Sequence, residues 1–139
     1  MTTGGITRRI LVVDDEQDVC AYLARLFEEH SYAVTCAADG DEATRAVEKE
    51  VPDLITLDLS MPKMSGVKFY RHIKENPGLK DIPVVFVTGV TGLGGKVSDT
   101  ERFYSTRRQV PPPDGFIAKP IDPEETIALV QKLLGKSSS

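Results

Sequence analysis

No stretch of this chain approaches the ~20 consecutive apolar residues of a membrane span, and Met1 to Arg9 lacks the apolar core of a secretory signal. A cytoplasmic location and no membrane partner are therefore expected. Basic charge is not in excess: 17 Lys and Arg against 21 Asp and Glu leave a net charge of −4, which favours solubility. That balance provides no electrostatic footprint for direct binding to nucleic acid. Cysteine is scarce. Cys20 and Cys36 fall in an expected helix and an expected strand, where small buried thiols are the plain reading and a disulfide the remote one. The two histidines, His30 and His72, have no ligand spacing with cysteine or with each other and read as surface residues of helices. No internal repeat is present. The glycine run after Thr88 fails as a phosphate loop, because G-x-x-x-x-G-K-[ST] needs Gly at 90 and Ser or Thr at 97, and both are Val. Pro111-Pro112-Pro113 is followed by Asp114, so P-x-x-P is absent and a short extended spacer is expected.

What is present fits one globular domain. The 139 residues, 40% hydrophobic and 27% charged, suffice for a single core, which we place at about residues 8–135. Residues 136–139, Lys-Ser-Ser-Ser, form a tail that is flexible by composition. Four apolar runs, at 10–13, 54–57, 84–87 and 116–118, read as strands buried on both faces, as in a parallel sheet. A weaker run at 33–37 reads as an edge strand. Helical patterns alternate with them. Val19, Leu23, Leu26 and Phe27 repeat at helical spacing, and Asp39 with Glu42 makes a capping box that opens a helix through Lys49. Ser65 to Glu75 is a third helix, stopped by Asn76-Pro77-Gly78. The last opens with Asp122 as N-cap, Pro123 at N1 and Glu125 at N3, then buries Ile127, Val130, Leu133 and Leu134. This order predicts an α/β fold: an open parallel sheet, doubly wound, with helices on both faces. The fourth β-α unit is atypical. Segment 89–114 holds the glycine run and the prolines, with room for a short helix from Ser98 to about Arg108.

Polar residues follow each strong strand at once: Asp14 and Asp15 after the first, Asp58 after the third, Thr88 after the fourth and Lys119 after the fifth. In a parallel sheet these positions share one edge, and ligands of open α/β sheets bind beyond the carboxyl ends of the strands. Clustered carboxylates repel one another unless a cation sits among them, and an all-oxygen donor set suits a hard divalent ion such as Mg²⁺. Mg²⁺ in turn favours a phosphate oxygen as a further ligand. Lys119 and Thr88 would then stabilise a phosphoryl group, with a carboxylate as nucleophile. Taken singly, each Asp also reads as a turn former or helix cap. Taken together, with Thr88 and Lys119 on the same edge, they point to phosphoryl chemistry.

Together, Ile10 to Glu16, Asp58-Leu59-Ser60-Met61-Pro62 leading to Gly66, Val87-Thr88-Gly89 and Phe116 to Pro120 resemble the receiver domain of bacterial response regulators. The resemblance spans about residues 8–135. It implies a five-stranded flavodoxin-like, CheY-like sheet of order 2-1-3-4-5, in a stand-alone module of two-component signalling. It implies phosphorylation of Asp58 by a histidine kinase, a phosphotransfer protein or a small phosphodonor, then control of a partner or onward relay. Mg²⁺ would sit on Asp15, Asp58 and the Ser60 carbonyl, with Asp14 acting through water. Thr88 and Phe116 would be the switch residues, and Lys119-Pro120 a cis peptide. Phe116 reads equally well as plain core of the fifth strand. Such a domain is not an enzyme with a separate substrate, although it assists its own phosphorylation and dephosphorylation.

One departure from the family is length. Thr88 and Lys119 are 119 − 88 = 31 residues apart, longer than is usual, and the surplus lies in segment 89–114. That segment is either part of the surface read by an unknown downstream partner or a tolerated insertion. Two other classes fit less well. A haloacid-dehalogenase-like phosphatase would want an acid two residues beyond Asp58, where Ser60 stands, and a pseudo-receiver would more typically have lost some of the five site residues.

Overall fold

The computed structural model describes residues 7–59, 65–89 and 112–134. Five parallel strands lie in the order β2-β1-β3-β4-β5: β1 Arg9–Val13, β2 Ala33–Ala37, β3 Leu54–Asp58, β4 Val84–Gly89 and β5 Gly115–Lys119. Four helices occur among the described residues: α1 Gln17–Glu28, α2 Gly40–Lys49, α3 Ser65–Glu75 and α4 Pro123–Leu134. Strand order reverses at β1, which pairs with β2 on one side and β3 on the other. This is the doubly wound architecture expected from the alternation of apolar runs and helical patterns. The expected short helix at Ser98 to Arg108 lies outside the described residues.

Alternation along the strands divides the core into two layers. Leu11, Val13, Ile55, Leu57, Val84 and Phe86 face one cluster with residues of α2 and α3. Ile10, Val12, Leu54, Val85, Val87 and Ile117 face the other with residues of α1 and α4. A side-chain period of two explains this division. Each apolar side chain taken fully out of water contributes roughly 1.5–3 kcal/mol, so the continuous apolar runs of β1, β3 and β4 stabilise both layers at once. β2 lies at an edge, and Thr35 and Cys36 are exposed there. The expectation of two buried thiols therefore holds for Cys20 and is corrected for Cys36.

Helix ends follow the local signals closely. The amide of Glu42 donates to Asp39 Oδ1 at 2.8 Å, and Glu42 Oε1 reaches back to the amide of Ala38 at 2.7 Å. The box thus closes one residue earlier than the usual reciprocal bond to the N-cap amide. At α4 the amide of Glu125 donates to Asp122 Oδ1 at 3.1 Å. Ile127 and Val130 are buried as expected, whereas Leu133 and Leu134 are only partly buried against the α1 and α4 layer.

α4 packs closely on β5 at Gly115, where a Cβ atom would stand 2.9 Å from Leu129 Cδ2 and displace that side chain. Gly115→Val is expected to destabilise the fold by roughly 1–3 kcal/mol through overpacking, with part of that recovered when Leu129→Ala opens the space. Urea unfolding of the two single variants and the double variant checks this; simple additivity of the losses would contradict it.

Candidate functional site

The carboxyl edge of the sheet gathers the polar residues that follow the strands. Asp58 closes β3, in register with Val87 of β4, and is 1% exposed. Asp14 follows β1, is 2% exposed, and is tied to β2 by its amide, which donates to the Ala37 carbonyl at 3.0 Å. Its Oδ1 accepts the amide of Glu16 at 2.9 Å. Asp15 is exposed beside it. Carboxylate oxygens of Asp14, Asp15 and Asp58 all lie within 4.8 Å of one another.

Lys119, at the end of β5, is the cation of this cluster. Its Nζ stands 3.1 Å from Glu16 Oε1, 3.4 Å from Asp14 Oδ2 and 3.6 Å from Asp58 Oδ2. Burial pulls the ammonium down, but Glu16, Asp58 and Asp14 outweigh it and hold Lys119 above its ordinary pKa. Glu16 was not singled out by the sequence reading. Its signal was present as the third acid of the run 14–16, and its place at the N-cap of α1 is informative. Its side chain makes no capping hydrogen bond to the helix and reaches Lys119 instead.

Strand parity separates two groups. Continuing the alternation, Asp14, Asp58 and Lys119 share the register of the α1 and α4 layer, as Val12, Thr56 and Ile117 do. Thr88 and Phe116 carry the opposite parity, that of Phe86. Thr88 is buried. Phe116 is half-buried and meets Phe86 edge-on, with ring centroids 6.0 Å apart. The Lys119-Pro120 bond is cis. Ser60 lies outside the described residues, as does most of segment 89–114.

The donor set fits a hard divalent cation. Three carboxylates converge, and among the described residues the buried Asp14 Oδ2 receives no hydrogen bond, only the Lys119 ammonium at 3.4 Å. The Asp14 carboxyl is pushed up from 3.8 to about 6. Burial is the largest cause, the Glu16 amide opposes it, the Asp58 charge adds and the Lys119 charge subtracts.

An acidic, lysine-bearing pocket at the carboxyl edge of a 2-1-3-4-5 sheet defines a CheY-like signalling domain. The family model described as "Response regulator receiver domain" matches residues 10–131, and the chain belongs to that family. Receiver domains are signalling domains of two-component systems rather than conventional enzymes, bind Mg²⁺ at an acidic pocket, and interact with histidine kinases or phosphotransfer proteins. Among its relatives is Protein Rrf1 of Nitratidesulfovibrio vulgaris, 36% identical over 91% of this chain and 82% of that protein. The phosphate regulon transcriptional regulatory protein PhoB of Escherichia coli is 32% identical over 96% of this chain, but over only 54% of its own length. Among solved structures, the signal receiver domain of a histidine kinase from Syntrophus aciditrophicus superposes with a TM-score of 0.78. It is 30% identical, with 95% of this chain and 93% of that one covered. No helix among the described residues is long and apolar enough to cross a membrane.

The raised Asp14 value has a consequence for stability. Because the folded chain holds this proton more tightly than the unfolded one, the stabilisation it provides is complete below about pH 4 and is lost as pH rises through about 6. The metal-free protein is expected to lose on the order of 2–3 kcal/mol from this group between about pH 4 and pH 7. Asp14→Asn should flatten that slope. Urea unfolding with a chelator present, compared across pH, checks it; an unchanged slope in the variant would contradict the assignment.

Proposed function

We propose that Asp58 is the phosphoacceptor of a response regulator receiver domain. It would take its phosphoryl group from the phosphohistidine of a kinase or phosphotransfer protein. The observation that carries this reading is the placement of Lys119 Nζ, 3.4 Å from Asp14 Oδ2 and 3.6 Å from Asp58 Oδ2, beside two buried carboxylates. In the transfer, an Asp58 carboxylate oxygen attacks phosphorus, the bond from phosphorus to the donor nitrogen breaks, and the electron pair leaves with the imidazole. Lys119 then faces the new negative charge, and the Thr88 hydroxyl donates to a phosphoryl oxygen. Asp14, Asp15, Asp58 and the Ser60 carbonyl would hold Mg²⁺, which supplies positive charge to the phosphoryl oxygens.

In this reading Thr88 and Phe116 form the switch. Thr88 is drawn toward the phosphoryl group across the strand parity, and Phe116, packed on Phe86 of the same layer, responds to the space it leaves. Phe116 has no hydroxyl, so its response is a matter of packing alone. Segment 89–114 adjoins β4 and β5 in sequence, which makes it our choice for the surface that selects the downstream partner.

Incubation with a small phosphodonor and Mg²⁺, followed by intact mass measurement, is expected to add one phosphoryl group to the wild type and none to Asp58→Asn. Uptake by both or by neither defeats the proposal. The switch is tested separately with Thr88→Ala. This variant should still acquire the phosphoryl group on Asp58, while its Phe116 ring resonances stay where they are in the unphosphorylated protein. Wild-type-sized shifts in that variant would remove Thr88 from the switch.

A further inference from the structure

Phosphoryl chemistry leaves the two thiols of the chain unused. They come from different elements, Cys20 from α1 and Cys36 from the edge strand β2, yet they meet. Cys36 Sγ donates to the Cys20 carbonyl at 3.7 Å, which sets the two residues side by side across the α1–β2 contact. Their environments differ. Cys36 is exposed, whereas Cys20 is 8% exposed and donates its own Sγ–H to the Asp14 carbonyl at 3.3 Å. One accessible thiol with a second, sheltered thiol beside it is the arrangement of an attacking and a resolving cysteine.

We propose that Cys36 and Cys20 form a peroxide-sensitive dithiol that closes to an intrachain disulfide and thereby breaks the contact between Cys20 and the Asp14 carbonyl. In the first step the Cys36 thiolate attacks one oxygen of hydrogen peroxide. The O–O bond breaks, the departing hydroxide takes up a proton to become water, and Cys36 becomes a sulfenic acid. In the second step the Cys20 sulfur attacks the sulfenic sulfur. The S–S bond forms, the S–O bond breaks, and the hydroxyl leaves as a second water with the Cys20 proton. Two thiols are oxidised by two electrons and one peroxide is reduced to two waters. A disulfide sulfur has no hydrogen to donate, so the Asp14 carbonyl loses its bond to Cys20 whatever rotamer the bridge adopts. The reversible pair therefore connects the oxidation state of an exposed edge strand to the backbone of the acidic cluster. This step needs no phosphoryl group, so it stands apart from the role assigned to Asp58.

Full-length protein, reduced and then treated with hydrogen peroxide, is tested by alkylation and intact mass. The expected product is a monomer that has lost two hydrogens and both alkylation sites, and that regains both on treatment with dithiothreitol. Cys20→Ala should stop at a Cys36 sulfenic acid captured by a dimedone-type probe, and Cys36→Ser should remain reduced at the same peroxide dose. In the wild type, amide resonances of residues 14–16 should shift on oxidation. Persistence of two alkylatable thiols, oxidation only between chains, or Cys36→Ser reacting as fast as wild type would each overturn the dithiol. Unshifted amides at 14–16 in the bridged protein would overturn its connection to the acidic cluster.

Discussion

Repulsion among carboxylates that the sheet forces together is the constraint on which the rest of this structure depends. Asp14 and Asp58 follow or close adjacent strands and are almost fully buried, so water does little to screen them. The fold tolerates the arrangement because Lys119 arrives from β5 within 4 Å of both. Burial first, and the Asp58 charge after it, still hold the Asp14 carboxyl above its ordinary pKa in spite of the Lys119 ammonium. Such a pocket favours whatever adds positive charge to it. A divalent cation among the acids relieves the repulsion.

Glu16 modifies that balance. Its Oε1 is nearer to Lys119 than either buried carboxylate is, so the ammonium is shared between the interior and an exposed acid. Ser, Thr, Asp or Asn would serve α1 better as an N-cap, since Glu16 makes no capping bond there. Local helix stability is given up at a position where the side chain contacts the site instead. This kind of disagreement between a local rule and the observed residue is common at functional positions.

Much of this could be read from sequence, for identifiable reasons. Continuous runs such as Ile10 to Val13 and Val84 to Val87 can be buried on both faces only in a covered parallel sheet, and the strand-end rule then locates the site. Capping signals at Asp39 and Asp122 were legible because they act over three residues. Cys36 was harder to place. An edge strand lacks full cover, and periodicity alone does not show how far α1 reaches over it. The Lys119 contact with Glu16 spans 103 residues of chain, so no local pattern announces it. The partition of Thr88 and Phe116 from Lys119 also required the register, because a slip of one residue would exchange the faces.

β5 is hydrogen-bonded to β4 alone among the described strands, whereas β1, β3 and β4 are held on both sides. Lys119 and Phe116 both sit on it. The strand that touches the charge cluster at its end and an aromatic layer along its length is thus anchored by a single ladder. With β2 at the other edge, it is one of the two strands of the sheet held on a single side. The acids of the pocket thus belong to strands braced on both flanks and its base to a strand braced on one, so the two signs of charge are held with unequal firmness.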